Sequence, residues 1–374
     1  MRTYNERVKS WDIVIVGAGI IGLSLAISLR KQGLRVLLLD RGEPGREASS
    51  AAAGMLVGSS TELPPPLRAL AFESARMYPE FAHEIEDESG MKVDLREQGT
   101  ILISGNNDFP SAAEMLSVDK LRSLEPDLAL SQGSNSGPGG RVRPPLQNQN
   151  GYQAAYLPER SVDPRALAAA AVKAARHRGV VTSEGSEVRG LIRSGNRVSG
   201  VQTKKTNYSA EIVVNCAGAW AGRIPPQPFP VAPVKGQMLA VVGGPVLQHV
   251  IRGEEVYLVP RSDGRTIIGS TLEDAGYNKQ TDVNTIQRLL HAAGELLPGV
   301  ANAKIHEDWA GLRPGTPDHL PILGETSIAG YFVASGHYRD GILLAPITAQ
   351  IMTELILGKP ISHNLEPFSP MRFQ

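Results

Sequence analysis

The chain has 374 residues, of which 38 are lysine or arginine and 38 are aspartate or glutamate, so its formal net charge is zero. A neutral chain of this length can form two packed units, and it lacks the basic excess that favours nucleic acid or an anionic membrane as a partner. Its single cysteine, Cys216, excludes an intramolecular disulfide, and its histidines form no H-E-x-x-H motif, so we expect no metal site and a reducing, cytoplasmic location.

The first predicted strand is a β-branched run at 13–16, which is typical of a parallel strand buried on both faces. It ends at a G-x-G-x-x-G motif formed by Gly17, Gly19 and Gly22. The first glycine permits a tight turn, and the second lets a pyrophosphate approach the backbone. The third lets the helix predicted at 23–31 lie close to the strand, with the free N–H groups of its first turn facing an anion.

Two features after the motif extend this prediction. Asp40 ends a second predicted strand, 35–39, and lies 18 residues beyond the last glycine of the motif. A carboxylate there can accept both ribose hydroxyls of an adenosine, which favours a dinucleotide over a merely solvated loop side chain. The small residues at 48–54 either let the chain pass close to a flat ligand or form an ordinary helix start capped by Ser49 or Ser50, and the sequence does not decide between these alternatives.

Patterns of apolar residues and capping residues place the remaining elements. We predict helices at 66–89, 117–124, 166–178, 284–297 and 342–357, and strands at 99–104, 180–182, 187–193, 197–204, 211–215, 237–242, 255–260, 266–270 and 304–309. Residues 131–150 are rich in Gly, Pro, Asn, Gln and Ser and predict a loop. Because the β-α-β pattern returns after residue 156, we expect the nucleotide domain to be discontinuous in sequence.

Together with the glycine motif, three segments resemble the FAD-dependent D-amino acid oxidase family, and within it the glycine oxidases of the ThiO type. They are A-A-A-G-M at 51–55, G-L-R-P-G-T at 311–316 and H-Y-R-D-G-I-L-L at 337–344. The resemblance covers nearly the whole chain. It implies an α/β fold with a Rossmann-like FAD-binding domain of the glutathione-reductase type, formed by 1–60, 156–224 and 321–374, and a substrate domain with a mixed, largely antiparallel sheet, formed by 61–155 and 225–320.

The resemblance also implies the site residues. Tyr257 and Arg313 match residues that bind the substrate carboxylate, and Arg339 matches one that lines the same site, so these three are the predicted catalytic and substrate-binding residues. The planar fork of an arginine suits a carboxylate in a way that lysine cannot reproduce. The alternatives are an ion pair of Arg313 with a neighbour such as Asp318, a core or rim position for Tyr257, and an interdomain bridge for Arg339. The predicted contacts of a non-covalent FAD are Gly17, Gly19, Ile20, Ile21, Gly22, Asp40, Arg41, Ala48, Ser49, Ala53, Gly54, Met55, Val188, Ala217, Gly218, Trp220, His337, Tyr338, Arg339, Asp340, Gly341, Ile342 and Leu343.

Four further expectations concern the surroundings of the flavin. The start of the helix predicted at 342–357 can face the pyrimidine edge of the flavin, where negative charge collects on reduction. His337 either hydrogen-bonds the flavin or contributes only its backbone. Asp340 stands where the resembled enzymes usually have an asparagine. Cys216 is expected to be a small buried apolar residue and not a point of covalent attachment.

The predicted function is FAD-dependent oxidative deamination of glycine and small amines, such as sarcosine and small D-amino acids, to an imine or 2-oxo acid, ammonia and hydrogen peroxide. Dioxygen is the expected acceptor, and iminoglycine for thiamine biosynthesis is the expected use of the product. By the same resemblance we expect a homotetramer. The polar segment 1–12 lacks a signal-peptide cleavage site, so we expect no stable membrane association. The alternatives are a quinone-linked D-amino acid or sarcosine dehydrogenase of the same family, a non-catalytic flavin-binding module and, less favoured, a nicotinamide-dependent dehydrogenase.

Overall fold

The structure, a computed structural model, describes residues 10–105, 108–129, 152–226 and 228–373. The loop predicted at 131–150 lies outside these residues. The helices are α1 Ile20–Lys31, α2 Ala48–Ala51, α3 Arg68–Ser89, α4 Val118–Leu124, α5 Pro164–His177, α6 Val283–Leu296 and α7 Ala345–Ile356. The strands are β1 Ser10–Val16, β2 Val36–Leu39, β3 Met55–Leu56, β4 Thr100–Ser104, β5 Glu114–Met115, β6 Gln153–Leu157, β7 Arg160–Ser161, β8 Val181–Ser183, β9 Val188–Ser194, β10 Arg197–Thr203, β11 Asn207–Asn215, β12 Ala232–Val242, β13 Val250–Arg252, β14 Tyr257–Pro260, β15 Thr266–Gly269, β16 Lys304–Gly315, β17 Ile322–Glu325 and β18 Tyr331–Ser335.

The first sheet has the strand order β17-β18-β11-β1-β2-β8, and the hairpin β9-β10 extends from β11. The pairings of β1 with β2 and β11, of β11 with β18 and of β2 with β8 are all parallel. Ile13 and Ile15 face an apolar core that includes α1, α5 and α7, whereas Val14 and Val16 face a second core on the opposite side. Burial on both faces explains the β-branched run, and it confirms the predicted α/β fold.

The second sheet has the order β16-β12-β15-β14-β13-β4-β6-β5, and its described pairings are antiparallel except for β13 with β4. One face packs against α4 and α6 in an apolar core. The other face carries Met238, Tyr257 and Trp309 next to Ala53 of the first unit. The mixed, largely antiparallel character predicted for this sheet is confirmed. Among the described helices, none combines the length and apolar content that a membrane span requires.

The packing differs from the predicted domain boundaries in two places. Helix α3 packs against α5 and α7, and its Tyr78 hydroxyl donates to the carbonyl of Ile342 at 3.0 Å, so this part of 61–155 lies with the nucleotide unit. Strand β6 pairs with β4 in the second sheet, so the boundary predicted at 156 cuts through a strand. An amphipathic pattern gives the apolar face of a helix but not the sheet that the face covers.

Several elements have other bounds than the sequence suggests, and two of them lie beside the cavity. Strand β16 continues to Gly315, well past the predicted end at 309, because it pairs with β12 along nearly its whole length. Helix α7 begins at Ala345 and not at residue 342. Residues 342–344 form a turn whose side chains are buried, and their apolar character continues the helical pattern without being part of the helix.

Candidate active site

A cavity of about 500 Å³ extends from the glycine turn after β1 to the inner face of the second sheet. At one end it is lined by the turn, by Asp40 and Arg41, and by the start of β9. Its middle is lined by α2, the chain that follows α2, and residues 216–220. At the other end lie β12, β14, β16 and the segment after β18. The cavity therefore connects the carboxyl ends of the parallel strands with the second unit, as ligand sites in open α/β sheets do.

The glycine turn is too tightly packed for side chains. Gly17 has a φ of +105°, and a Cβ there would collide with the carbonyl of Cys216. A Cβ on Gly22 would collide with the carbonyl of Gly17, which explains how α1 lies close to β1. Gly19 precedes the helix, and the Ile20 N–H donates to Ser49 Oγ at 2.9 Å. The first turn of α1 thus faces the cavity, as a pyrophosphate site requires.

The small residues at 48–54 are partly helical and partly extended, and they line the cavity. Residues 48–51 form the single turn α2, and residues 52–55 continue as extended chain along the cavity. The predicted capping role is wrong, because neither Ser49 nor Ser50 precedes the helix and Ser49 Oγ instead accepts from the first turn of α1. Small side chains are required here because Ala51 lies directly against Gly311 of β16.

Asp40 sits at the end of β2 as predicted. Its Oδ2 accepts the Ala18 N–H at 2.7 Å, and its Oδ1 accepts the Gly42 N–H at 2.8 Å. Burial raises the pKa of this carboxyl above its usual range. Each carboxylate oxygen retains a further lone pair, which fits the acceptance of ribose hydroxyls. Next to it, the guanidinium of Arg41 lies 3.5 Å from the ring centroid of Trp220, so these two predicted contacts form one wall of the cavity.

Most of the other predicted cofactor contacts also line the cavity: Gly17, Gly19, Ile20, Ile21, Ala48, Ser49, Ala53, Gly54, Met55, Val188, Ala217, Gly218, His337, Tyr338, Arg339, Gly341 and Ile342. Gly22, Asp340 and Leu343 do not. Gly22 acts through its contact with Gly17, and Leu343 is buried in the core, where its carbonyl accepts from Ser74 Oγ at 2.6 Å. Asp340 is half-buried beside Arg339, and burial raises its pKa to about 6. Cys216 is buried and free, as predicted.

His337 directs its imidazole toward α7. Its Nε2 lies 3.1 Å from Thr348 Oγ1, and the residue is only 3% exposed. Burial lowers the pKa of His337 to about 3, so the ring is neutral at physiological pH. Of the two predicted roles, this geometry favours the one in which only the backbone of His337 faces the cavity.

The neutral His337 predicts a pH dependence of stability. The unfolded imidazole has a pKa near 6.5, so between about pH 6.5 and the folded pKa of about 3 the unfolded state binds more protons. The contribution of His337 to the free energy of unfolding should therefore fall with decreasing pH in this window, by up to about 1.4 kcal/mol per pH unit. His337→Asn removes this titration, so the unfolding free energy of the wild type, measured in urea, should fall relative to that of the variant as the pH decreases. Asp340 contributes to the pH dependence with the opposite sign, but equally in both proteins, so its effect cancels in the difference between them. Curves of unfolding free energy against pH that are parallel for the two proteins would contradict the prediction.

At the far end of the cavity, Arg313 projects from β16. Its Nη1 donates to the carbonyl of Thr271 at 3.0 Å and its Nη2 to Ser270 Oγ at 2.7 Å. Burial lowers the pKa of Arg313, and the phenol of Tyr257 partly opposes that effect as a hydrogen-bonding neighbour. A guanidinium nevertheless stays charged at physiological pH, and with five N–H donors it keeps some for a ligand. The alternative ion pair is wrong, because Asp318 pairs with Arg372 at 2.8 Å.

Tyr257 and Arg339 complete this end of the cavity. The ring of Tyr257 packs in the small apolar core of the inner sheet face, and its hydroxyl lies 3.8 Å from the sulfur of Met238. Arg339 lines the cavity and also forms a 3.3 Å ion pair with Glu62, in the segment that leads to α3. Tyr257 therefore lines the cavity and also packs in a core, whereas the Arg339–Glu62 pair lies within the first unit and does not bridge the two units.

The sequence analysis missed several residues at this end. Gly236 and Gly311 lie opposite each other in the β12-β16 ladder, and both line the cavity, as do Met238 and Ser270. A Cβ on Gly236 would occupy the place of the Arg313 guanidinium. A glycine inside a strand marks a close approach, but the predicted strands 237–242 and 304–309 stop short of both glycines, so this signal was not available from the sequence.

Gly236→Ala should displace the guanidinium of Arg313 without disturbing the glycine turn. The colliding atoms are the far end of a flexible side chain, so we expect little loss of stability. We expect FAD content and thermal midpoint close to wild type, with kcat/KM for the predicted substrate, glycine, lowered by about 10-fold or more because the predicted carboxylate site is misplaced. Loss of FAD, or an unchanged kcat/KM, would contradict the prediction. Gly294→Ala is the control, because Gly294 lies on α6 and does not line the cavity, has no positive φ, and a Cβ there meets only Ala301 at 3.9 Å.

Comparison with known proteins agrees with this geometry. Residues 12–355 match the model of the DAO family, which is described as FAD dependent oxidoreductase. The chain belongs to this family. Glycine oxidase of Geobacillus kaustophilus is 34% identical to this FAD-dependent oxidoreductase over 371 residues, covering 97% of each chain. The crystal structure of glycine oxidase from Geobacillus kaustophilus superimposes with a TM-score of 0.86 at 31% identity, covering 97% of this chain and 99% of that one.

A further relative is a longer protein. The bifunctional protein ThiO/ThiG of Trichormus variabilis is 37% identical over 369 residues, which are 97% of this oxidoreductase but only 55% of the relative. The chain thus spans about half the length of that protein. FAD is the cofactor of this enzyme, and the cavity fits it: the glycine turn and Asp40 suit its pyrophosphate and adenosine, and the small residues at 48–54 leave room for a flat ring.

Proposed function

We propose that this oxidoreductase oxidises glycine and other small amino acids that have little or no side chain, such as sarcosine and small D-amino acids. The observation that carries the proposal is the position of Arg313, a half-buried guanidinium at the end of the FAD cavity with Tyr257 and Arg339 beside it. A charged guanidinium in a site of limited polarity is stabilised by an anionic partner. The two oxygens of an amino acid carboxylate can accept two parallel hydrogen bonds from it. The likeness to glycine oxidases supports the same substrate class.

In this proposal the chain binds and orients the substrate. Arg313 holds the carboxylate, Tyr257 donates a second hydrogen bond to it, and Arg339 adds positive charge at the mouth of the site. Ala53 and Met238 bring apolar surface to the same region, which favours the neutral form of the substrate amine. Bound FAD supplies the two-electron oxidation. Amino acid, dioxygen and water are converted by way of an imine into 2-oxo acid, ammonia and hydrogen peroxide, and no side chain need act as acid or base.

The name of the bifunctional ThiO/ThiG relatives supports a role in thiamine biosynthesis. We propose that iminoglycine from glycine is the product used there, in the cytoplasm. Non-covalent attachment of FAD and a homotetrameric assembly belong to the same proposal. Release of the flavin by acid precipitation tests the first, and light scattering of the purified holoenzyme tests the second.

The decisive experiment is an absorbance spectrum of the purified holoenzyme, followed by anaerobic titration with glycine, sarcosine and D-alanine. We expect bleaching of the flavin band by these compounds, and on admission of air a return of the band with stoichiometric hydrogen peroxide. Bleaching with slow return in air but fast return with a quinone would favour the dehydrogenase alternative. A band that no amino acid bleaches would favour a flavin-binding module and overturn the proposal.

A further inference from the structure

Behind Arg313, on the side away from the cavity centre, lies a polar network that the reaction itself does not use. The Thr271 carbonyl accepts from the guanidinium of Arg313, and the Thr271 hydroxyl donates to Glu273 Oε1. That hydroxyl also accepts the backbone N–H of Gln237 at 2.9 Å. One threonine thus connects the carboxylate-binding arginine with a second layer of polar residues.

The second layer is fully engaged. The Gln237 amide, only 1% exposed, donates to Glu273 Oε1 at 2.8 Å and accepts the Asp282 N–H at 2.7 Å. Lys235, 5% exposed, lies 3.4 Å from Glu273 Oε2, and the backbones of these two residues exchange a pair of 2.9 Å hydrogen bonds. Buried polar groups in such a network fix one geometry, because a displaced member leaves its partners unsatisfied.

The network reaches Arg313 from two directions. Gln237 and Lys235 flank Gly236 on β12, the glycine against which the guanidinium lies, and Thr271 supplies the carbonyl that accepts from it. Burial opposes ionisation of Glu273, but the hydrogen bonds from Thr271 and Gln237 and the charge of Lys235 keep the pKa of Glu273 below its usual range. The carboxylate is therefore ionised and holds Thr271 strongly at neutral pH.

We propose that Thr271, Glu273 and Gln237 are positioning residues that hold the guanidinium of Arg313 in the orientation that binds the substrate carboxylate. This inference rests on the proposed function only in that the ligand of Arg313 is a carboxylate. These three residues line neither the substrate site nor the flavin site. They act only by fixing the position of the Arg313 guanidinium. Their loss should therefore change carboxylate affinity and leave the chemical step nearly unchanged.

The test compares Thr271→Val and Thr271→Ser holoenzymes. Valine removes the hydroxyl and keeps the shape, whereas serine keeps the hydroxyl. With Thr271→Val the hydroxyl's bonds to Glu273 and from Gln237 are lost and the carbonyl that holds Arg313 is less fixed. We therefore expect KM for glycine and the Kd of acetate, read from the flavin absorbance, to rise about three- to tenfold, with kcat within about twofold. Thr271→Ser should restore both affinities. Thr203→Val is the matched control, because the Thr203 hydroxyl also accepts a backbone N–H and donates to a carbonyl but lies on β10, away from the cavity.

The acetate measurement separates this inference from the proposed function. A holoenzyme that binds acetate but oxidises no amino acid would contradict the proposed function. The acetate affinities of the variants would still test whether Thr271, Glu273 and Gln237 position Arg313. Affinities within twofold of wild type in Thr271→Val, or no recovery in Thr271→Ser, overturn it, as does a wild type that does not bind acetate. Should Thr271→Val fail to retain FAD, Glu273→Gln is measured in the same way, with Glu307→Gln as control because Glu307 has a similar exposure and also pairs with a cation.

Discussion

Replacement of Arg313 by methionine is expected to lower kcat/KM for glycine by about 10²- to 10⁴-fold, or about 3–5 kcal/mol. Methionine keeps much of the volume of the arginine side chain. It leaves the proposed substrate carboxylate without the charged, planar guanidinium that donates hydrogen bonds to it. The effect should lie mainly in KM and in the Kd of carboxylate ligands, because the flavin end of the cavity is untouched. Steady-state kinetics with glycine, together with acetate titration of the flavin band, measures both.

Two further variants sharpen this prediction. Arg313→Lys keeps the positive charge but loses the planar fork, so it should recover only a small part of the affinity. Arg372→Met is the control, since Arg372 is also a partly buried, hydrogen-bonded arginine but pairs with Asp318 away from the cavity, and the variant should show wild-type kinetics. A KM for glycine within threefold of wild type in Arg313→Met would mean that the carboxylate binds elsewhere, and the assignment of the site would be lost.

Gly17→Ala is expected to yield protein with less than about a tenth of the wild-type FAD content and an unfolding free energy lower by about 3 kcal/mol or more. Two causes add: a φ of +105° is strained for any L side chain, and the new Cβ meets backbone atoms of Cys216 that cannot move without shifting β11. The turn that faces the pyrophosphate must then open. FAD content by absorbance and unfolding followed by circular dichroism test both effects.

Gly33→Ala provides the comparison. Gly33 lies just beyond the other end of α1 with a φ of +82°, but a Cβ there meets nothing within 4 Å. We expect it to cost only about 1 kcal/mol, from backbone strain alone, and to leave FAD content unchanged. Equal losses in the two variants would show that strain, and not the packing of the turn, governs FAD binding.

The sequence predicted best what is encoded locally. The glycine motif lies in the predicted turn after β1, and the helix predicted at 166–178 is present as α5, capped by Asp163 with Pro164 in its first turn. Arg313 and Tyr257 do meet at one end of the cavity, but only the resemblance to a family brought them together beforehand. No periodicity relates residues that are 56 positions apart and lie on strands separated by β12 and β15.

What the sequence did not predict depends on packing between distant elements. The amphipathic pattern of α3 gave an apolar face but not its partners α5 and α7. The apolar residues 342–344 extended the predicted α7 by three residues, because burial in a turn and burial on a helix leave the same pattern. Ser270 and Thr271 were not singled out, because they follow β15 and accept hydrogen bonds from an arginine on β16. Local sequence does not contain the order of the strands that brings them together.

The strand order of the first sheet has a consequence for biosynthesis. Val14 pairs with Val213, and Val213 in turn pairs with Tyr331, so on this side of β1 the neighbouring strands β11 and β18 emerge from the ribosome much later than β1 itself. Pairings this remote in sequence form slowly, and they leave strand edges open to wrong partners while translation continues. Because residues as late as Ile342 line the cavity, the FAD site is complete only after the chain has been made to that point.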